Sequence, residues 1–166
     1  MGPSPWIARW APLVSNGAVV LDVAAGGGRH CRLFAARGHR VVAVDRDVSA
    51  LAGPDAAEIV PADLEDGSPW PLAGRRFGAV VVTNYLHRPL WPALLAALEP
   101  GGVLLYETFM IGNERFGKPS NPAFLLRDGE LLDVARDGDL SVIAYEALMV
   151  SDPRPAMVQR IAARRP

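Results

Sequence analysis

The chain has 166 residues with 17 basic and 18 acidic side chains, and a formal net charge of −1 does not favour binding to nucleic acid or to an anionic membrane. Half of the residues are hydrophobic and 21% are charged, which excludes a disordered chain and fits a single domain over residues 1–166. No apolar run approaches the roughly 20 residues of a membrane span, and the single cysteine, Cys31, excludes an intramolecular disulfide and favours a cytoplasmic setting.

The first third of the chain predicts two buried strands separated by a helix. Trp6 and Trp10 share one face of a short helix. The segment "GAVVLDVA" is uniformly apolar, as in a strand buried on both faces. A helix from about Arg29 ends at Gly38, and the segment "HRVVAVDRD" is a second buried strand.

The middle of the chain continues the same alternation. We expect "VSALA" to be a short helix that Gly53 and Pro54 stop, and "AEIVPADLED" to hold a third strand in which Pro61 marks an end or an edge. The segment "FGAVVVTNYL" is a fourth buried strand. The segment "PLWPALLAALEPGG" reads as a helix with prolines in its first turn and a Pro-Gly-Gly stop, and "GVLLYETF" is a fifth strand.

The last third begins with a long polar segment, "MIGNERFGKPSNPAF", of a length that is often functional in compact domains. It is followed by a helix, "RDGELLDVARDG", and by two strands, "LSVIAYEALMV" and "AMVQRIAARR", which a short turn joins in antiparallel order. The whole pattern predicts a doubly wound, Rossmann-like α/β fold. Its seven-stranded sheet is mostly parallel with a C-terminal antiparallel hairpin, and helices cover both faces.

A ligand of such a sheet lies at the carboxyl ends of the strands, and the glycine loop "AAGGG" is one of these ends. A dinucleotide is one candidate, because Gly26-x-Gly28-x-x-Cys31 nearly matches the nucleotide fingerprint and Asp45 follows about 20 residues later. Two details argue against it. Cys31 replaces the third glycine or alanine, and Asp22 would face the charges of a pyrophosphate.

A phosphate loop is a second candidate, because Gly112 to Lys118 fits the spacing G-x-x-x-x-G-K. Pro119 replaces the required Ser or Thr and disfavours the helix that must follow, so we set this candidate aside.

S-adenosylmethionine is the third candidate and suits the acids best. Asp22 can hold an ammonium group and adds negative charge near a sulfonium, while the glycines let the backbone approach. Asp45 can accept from both ribose hydroxyls. Asp63 can accept from the adenine amino group, and the backbone amide of Leu64 can donate to a ring nitrogen. Capping of the following elements would explain Asp45 or Asp63 singly, but not the whole set.

These motifs resemble the class I S-adenosylmethionine-dependent methyltransferases over nearly the whole chain, through "VLDVAAGGG", "VVAVDRD", "ADLED" and "LEPGGVLLYET". More loosely, "GGGRHCRLFAARGH" and "NERFGKPSNPAFLLRDGELL" are similar to small tellurite-resistance-type methyltransferases. The resemblance implies S-adenosylmethionine as cofactor, S-adenosylhomocysteine as product and no metal. Ala24 stands where the family has its first glycine, and alanine is a mild change there if its φ is negative. The cofactor-binding residues so implied are Asp22, Ala24, Gly26, Gly28, Asp45, Arg46, Asp63, Leu64 and Asn84.

The acceptor should lie beside the ends of the fourth and fifth strands. We expect His87, as the one near-neutral base there, with Tyr85 and Arg88 to be catalytic. The expected substrate residues are Tyr106, Glu107, Arg115, Lys118 and Arg127. Four basic residues among these (Arg88, Arg115, Lys118 and Arg127) would form a cationic rim and favour a small anionic acceptor. The opposing interpretation is a solvated loop whose charges pair with nearby acids.

Two other functions stay open at this point. A nicotinamide-dependent oxidoreductase is disfavoured by Asp22 and Cys31. A non-catalytic domain that binds S-adenosylmethionine or a partner would keep the fold but fill the acceptor side of the pocket with side chains.

Overall fold

The computed structural model describes residues 1–51, 55–56 and 58–166. In this part of the chain seven strands form one sheet. They are β1 (Val20–Val23), β2 (Val41–Asp45), β3 (Glu58–Pro61), β4 (Phe77–Thr83), β5 (Leu98–Phe109), β6 (Ser141–Val150) and β7 (Ala156–Arg164). Their spatial order is β3-β2-β1-β4-β5-β7-β6, which places β1 and β4 at the point where the order of crossovers reverses.

The direction of the strands confirms the predicted fold. The first five strands are parallel to one another, and β7 is antiparallel to both β5 and β6, so that six strands run one way. The expected terminal hairpin is therefore present, and β3 with its Pro61 is an edge strand as expected.

In the described ranges, four short α-helices cover the two faces of the sheet. They are α1 (Pro5–Trp10), α2 (Arg29–Ala36), α3 (Trp91–Ala96) and α4 (Glu130–Asp137). Side chains of a strand alternate between faces, so β1 contributes Leu21 to the core beneath α3 and α4, and Val20 to the core beneath α1 and α2. No helix in the ranges that the structure describes is long and apolar enough to cross a membrane.

The segment before the fifth strand differs from the prediction. The helix ends at Ala96, and β5 already begins at Leu98, so the Pro-Gly-Gly segment lies inside the strand. The reason is a shift in the register between β4 and β5 next to Phe77. The backbone N–H of Phe77 donates to the carbonyl oxygen of Ala97. A side chain at Gly102 would approach the carbonyl oxygen of Glu99 to 2.8 Å, so only glycine fits this tight bend.

The predicted helix "VSALA" is also not observed. The described residues 48–51 form a single turn closed by one hydrogen bond between Leu51 and Val48. Asp47 accepts hydrogen bonds from both the backbone and the hydroxyl of Ser49, and this local pairing favours a turn over a helix. The predicted stop, Gly53 and Pro54, lies outside the described residues.

Candidate active site

The carboxyl ends of β1 to β5 open into one pocket with a volume of about 600 Å³. Seven of its lining residues belong to the predicted site: Ala24, Asp45, Arg46, Asp63, Leu64, Asn84 and Tyr85. Seven others were not predicted: Ala62, Glu65, Leu86, Thr108, Phe109, Pro119 and Phe124. The volume is in the range of pockets that bind cofactors and small molecules.

The glycine loop is held against the end of β2 by Asp45. The backbone N–H of Gly26 donates to Oδ2 of Asp45 at 2.8 Å, and that of Asp47 donates to Oδ1 at 2.9 Å. Gly28 has a φ of +76°, and a side chain there would come within 2.9 Å of the Leu51 side chain. One carboxylate therefore fixes the loop and still faces the pocket.

Ala24 does not meet the condition under which alanine would be a mild change. Its φ is +54°, in the left-handed region that favours glycine. The loop keeps the conformation that a glycine would allow, and the alanine carries the strain of that conformation. A lining residue is thus held in an unfavourable geometry by the fold around it.

Asp22 lies in the middle of β1, only 1% exposed, and points to the side of the sheet that α2 covers. The Cys31 thiol donates to its Oδ2 at 3.2 Å. Burial raises the pKa of Asp22 to about 7, against the lowering effects of the Cys31 hydrogen bond and of Arg29. Burial and the Asp22 carboxylate raise the pKa of Cys31 well above its usual range, as expected for a buried structural thiol.

The end of β3 carries Asp63 and Leu64 into the pocket. Asp63 Oδ1 accepts a hydrogen bond from the backbone N–H of Glu65 at 2.9 Å, which closes a local turn. Glu65, at the end of this turn, lines the pocket. Tyr85 donates from its hydroxyl to Oε2 of Glu65 at 3.1 Å. Burial and then the charge of Glu65 raise the pKa of Tyr85, so its hydroxyl is protonated at neutral pH.

The predicted base lies beside this pair. His87 Nδ1 is 3.6 Å from Oε1 of Glu65, and the imidazole does not line the pocket itself. Asn84 does line it, with a φ of +53° and a backbone N–H that donates to the carbonyl of Glu107. Asn84 is thus a second lining residue in a strained backbone conformation.

Arg88 is not at the pocket, contrary to the prediction that it acts on the acceptor. Its guanidinium donates to both carboxylate oxygens of Glu130, at 2.7 and 2.9 Å, and to the carbonyls of Ala123 and Leu125. Burial alone would raise the pKa of the 2% exposed Glu130, but the hydrogen bonds from Arg88 and from the backbone of Arg127 lower it below its usual range. Arg88 therefore fastens the segment after β5 to the domain.

Tyr106 and Glu107 are also placed differently from the prediction. Tyr106 is buried and donates from its hydroxyl to the carbonyl of Tyr85 at 2.7 Å. Glu107 accepts from the Ser4 hydroxyl and forms an ion pair with Arg160. Neither lines the pocket, because β5 continues to Phe109 and its carboxyl end is formed by the two residues after Glu107.

The expected cationic rim does not form at the pocket. Arg127 is 70% exposed and pairs with Glu130, while the Arg115 guanidinium lies 5.5 Å from the centre of the Phe116 ring. Lys118 precedes the lining residue Pro119 but does not line the pocket itself. Arg88 and Arg127 both pair with the buried Glu130. Neither the cationic rim nor the solvated loop proposed from the sequence included this residue.

Five of the seven unpredicted lining residues are apolar, and four of the seven come from the end of β5 and the segment after it. Phe109 is the last residue of a predicted strand, and Pro119 and Phe124 interrupt a polar loop. Apolar side chains in a polar loop indicate that the loop packs against the rest of the domain. The residues that they contact depend on the path of the loop, which the sequence does not specify.

A sheet with six strands in one direction, an antiparallel β7 and an acid after β2 tied to a glycine loop defines the class I S-adenosylmethionine-dependent methyltransferases. Residues 21–105, half of the chain, match the family model described as "Methyltransferase domain". The chain belongs to this family. A comparison with curated protein sequences found no match.

Solved structures of methyltransferases share the fold at low sequence identity. TehB from Haemophilus influenzae has 16% identity and a TM-score of 0.77, and the alignment covers 96% of this chain but only 61% of TehB. The 1,6-didemethyltoxoflavin-N1-methyltransferase of Burkholderia thailandensis has 22% identity and a TM-score of 0.68, over 97% of this chain and 76% of that one. The glycopeptide N-methyltransferase MtfA, complexed with S-adenosyl-L-methionine, has 19% identity and a TM-score of 0.66, over 99% and 95%.

Proposed function

We propose that the chain binds S-adenosylmethionine in this pocket and transfers its methyl group to a small-molecule acceptor. The observation that carries the proposal is that Asp45 and Asp63, at the ends of two neighbouring strands, line one pocket with Ala24 of the glycine loop. Family membership and structural neighbours bound to S-adenosylmethionine or S-adenosylhomocysteine support it.

The chemistry of the donor set fits the proposed cofactor. Asp45 keeps free acceptor capacity on both oxygens for ribose hydroxyls, because each oxygen takes only one backbone N–H. Asp63 and the backbone of Leu64 would hold the adenine. Arg46 is the only basic side chain among the described lining residues, which suits a phosphate-free ligand.

The amino acid end would lie toward the glycine loop, with Gly26, Gly28 and Asn84. Asp22 lies beneath the loop, and we propose that it acts by its charge on the ammonium group, directly or through water. Because its pKa is about 7, a nearby cation would be expected to draw it into the ionised form.

S-adenosylmethionine, when bound, supplies a methyl group that is already activated by the sulfonium charge. An acceptor heteroatom uses its lone pair to form the bond to the methyl carbon, the electron pair of the broken C–S bond stays on sulfur, and any proton of the acceptor passes to a base or to water. The protein must align the acceptor in line and exclude water. We propose that Tyr85 aligns it and that His87, which lies behind the lining residue Glu65, takes up the proton through Glu65 or water where one is released.

The alternative function, a non-catalytic binding domain, predicts that side chains fill the acceptor side of the pocket. Instead the pocket has a volume of about 600 Å³ and is also lined by Leu86 and Phe109, which lie outside the proposed cofactor-binding set. The open space favours an enzyme with a small acceptor. We also propose a cytoplasmic location, supported by the buried thiol of Cys31, which is the one cysteine of the chain.

Calorimetric titration with S-adenosylhomocysteine tests the proposal, with NAD as the competing ligand. We expect binding of the first and not of the second, and binding that is about a hundredfold weaker in Asp45→Ala. Asp47→Ala, an exposed neighbour outside the pocket, is the matched control and should bind normally. Absence of binding to the wild-type protein would overturn the proposal.

A further inference from the structure

The acceptor side of the pocket is built from apolar groups. Four apolar residues of the lining follow or end the later strands: Leu86, Phe109, Pro119 and Phe124. Leu86 follows β4 and Phe109 ends β5, and β1 separates these two strands from β2 and β3, which lead to Asp45 and Asp63. Thr108 adds one hydroxyl group on a buried residue at the end of β5. A surface of this kind stabilises a bound molecule through its apolar area and through ring packing.

The charges of the lining residues are unbalanced. Three carboxylates, Asp45, Asp63 and Glu65, face one guanidinium, Arg46, among the lining residues that the structure describes. None of the four basic residues expected at the acceptor side lines the pocket: Arg88 and Arg127 pair with Glu130, and Arg115 and Lys118 are not among the lining residues. An acceptor with negative charge would meet net repulsion in this pocket.

Phe124 is 49% exposed, although hydrogen bonds hold the backbone around it. Its short 3-10 turn, Pro122–Phe124, is capped by the Asn121 side chain and held on the carbonyl side by Arg88. A large apolar ring held in place at the wall of a pocket is ready to pack against a ligand without further ordering of the chain.

We propose that the methyl acceptor is a flat aromatic small molecule that is neutral or positively charged, and that Phe109, Pro119 and Phe124 hold its ring while Glu65 selects against anions. This inference rests on the proposed function and names its substrate class. It replaces the anionic acceptor that the basic residues of the sequence suggested.

Three probes with one ring system and different charge test the proposal. Naphthol is neutral, naphthylmethylamine is cationic and naphthoate is anionic at pH 7.5. Each is titrated into the protein saturated with S-adenosylhomocysteine. We expect the neutral and cationic probes to bind at least about tenfold more tightly than naphthoate. Equal or tighter binding of naphthoate would overturn the proposal.

Variants separate the ring contact from the charge effect. Phe124→Ala should weaken naphthol binding about tenfold and leave the Kd of S-adenosylhomocysteine unchanged. Phe116→Ala removes an exposed ring that does not line the pocket and should change neither affinity. Glu65→Gln keeps an acceptor for the Tyr85 hydroxyl and should reduce the discrimination against naphthoate; unchanged discrimination contradicts the role of Glu65.

The outcomes distinguish this inference from the function on which it rests. If S-adenosylhomocysteine does not bind, the proposed function fails. If it binds and the three probes show no preference by charge, or if Phe124→Ala binds naphthol as the wild type does, the proposed function stands and the acceptor class is wrong.

Discussion

The backbone N–H of Gly26 donates to Oδ2 of Asp45 at 2.8 Å, which ties the glycine loop after β1 to the end of β2. The two sequence features that suggested a nucleotide-like ligand are therefore one structural unit. A change in either residue should alter both the shape of the loop and the contacts to the cofactor.

Asp45→Ala should weaken binding of S-adenosylhomocysteine by about a hundredfold, since each lost hydrogen bond to a charged group is worth about 1.5–3 kcal/mol. The amide of Gly26 also loses its partner. Calorimetry measures the change in Kd, and circular dichroism should show that the variant remains folded. A Kd within threefold of the wild-type value would exclude Asp45 from the site.

Ala24→Gly should stabilise the protein. Relief of the left-handed conformation is worth about 1–2 kcal/mol, and the greater flexibility of glycine in the unfolded chain removes part of that gain, so we expect a net gain of about 0.5–1 kcal/mol in the free energy of unfolding. Urea denaturation measures it. Ala25→Gly is the matched control in the same loop, at a buried residue without positive φ, and should destabilise instead.

Asp22→Asn should stabilise the free protein increasingly as the pH rises. Between the unfolded pKa of 3.8 and the folded pKa of about 7, the native carboxyl keeps a proton that the unfolded chain has released. Rising pH therefore favours the unfolded state of the wild type in this window. The stability difference between Asp22→Asn and the wild type should grow by about 2 kcal/mol from pH 5 to pH 8.

The difference between the two proteins is the quantity to measure, because His30 acts in the opposite direction. Burial and then the charge of Arg29 lower the pKa of His30 to about 4, so rising pH between about 4 and its unfolded pKa of 6.5 favours the native state. The wild-type profile alone would partly hide the effect of Asp22. A difference that stays constant with pH would show that Asp22 is ionised normally in the native state.

Arg88→Ala should destabilise the protein by about 2–3 kcal/mol. The change leaves the buried Glu130 with only the exposed Arg127 as a charged partner among the described residues. Thermal unfolding measures it. Arg127→Ala removes the exposed partner and should cost no more than about 0.5 kcal/mol. If the two variants lose equal stability, Arg88 does not anchor the segment that carries Phe124.

The meeting of Asp45 and Asp63 at one pocket was predictable because it depends on local order along the chain. Parallel strands bring their carboxyl ends to one edge of the sheet, so residues such as Asp45 and Asp63 that follow buried strands reach one pocket whatever the details of packing. The acceptor side was not predictable in this way. Arg88 was expected to bind substrate, but its partners Glu130 and Leu125 lie about 40 residues away along the chain.

The sequence by itself determined the order of the strands and the class of cofactor, because hydrophobic patterning and position after a strand are properties of short segments. Only the tertiary structure decided the burial of Asp22, the positive φ of Ala24 and the turn of Tyr106 into the core. Those properties depend on which distant residues surround a side chain and on where a strand ends in space. Neither property can be derived from the residues that flank a position in the sequence.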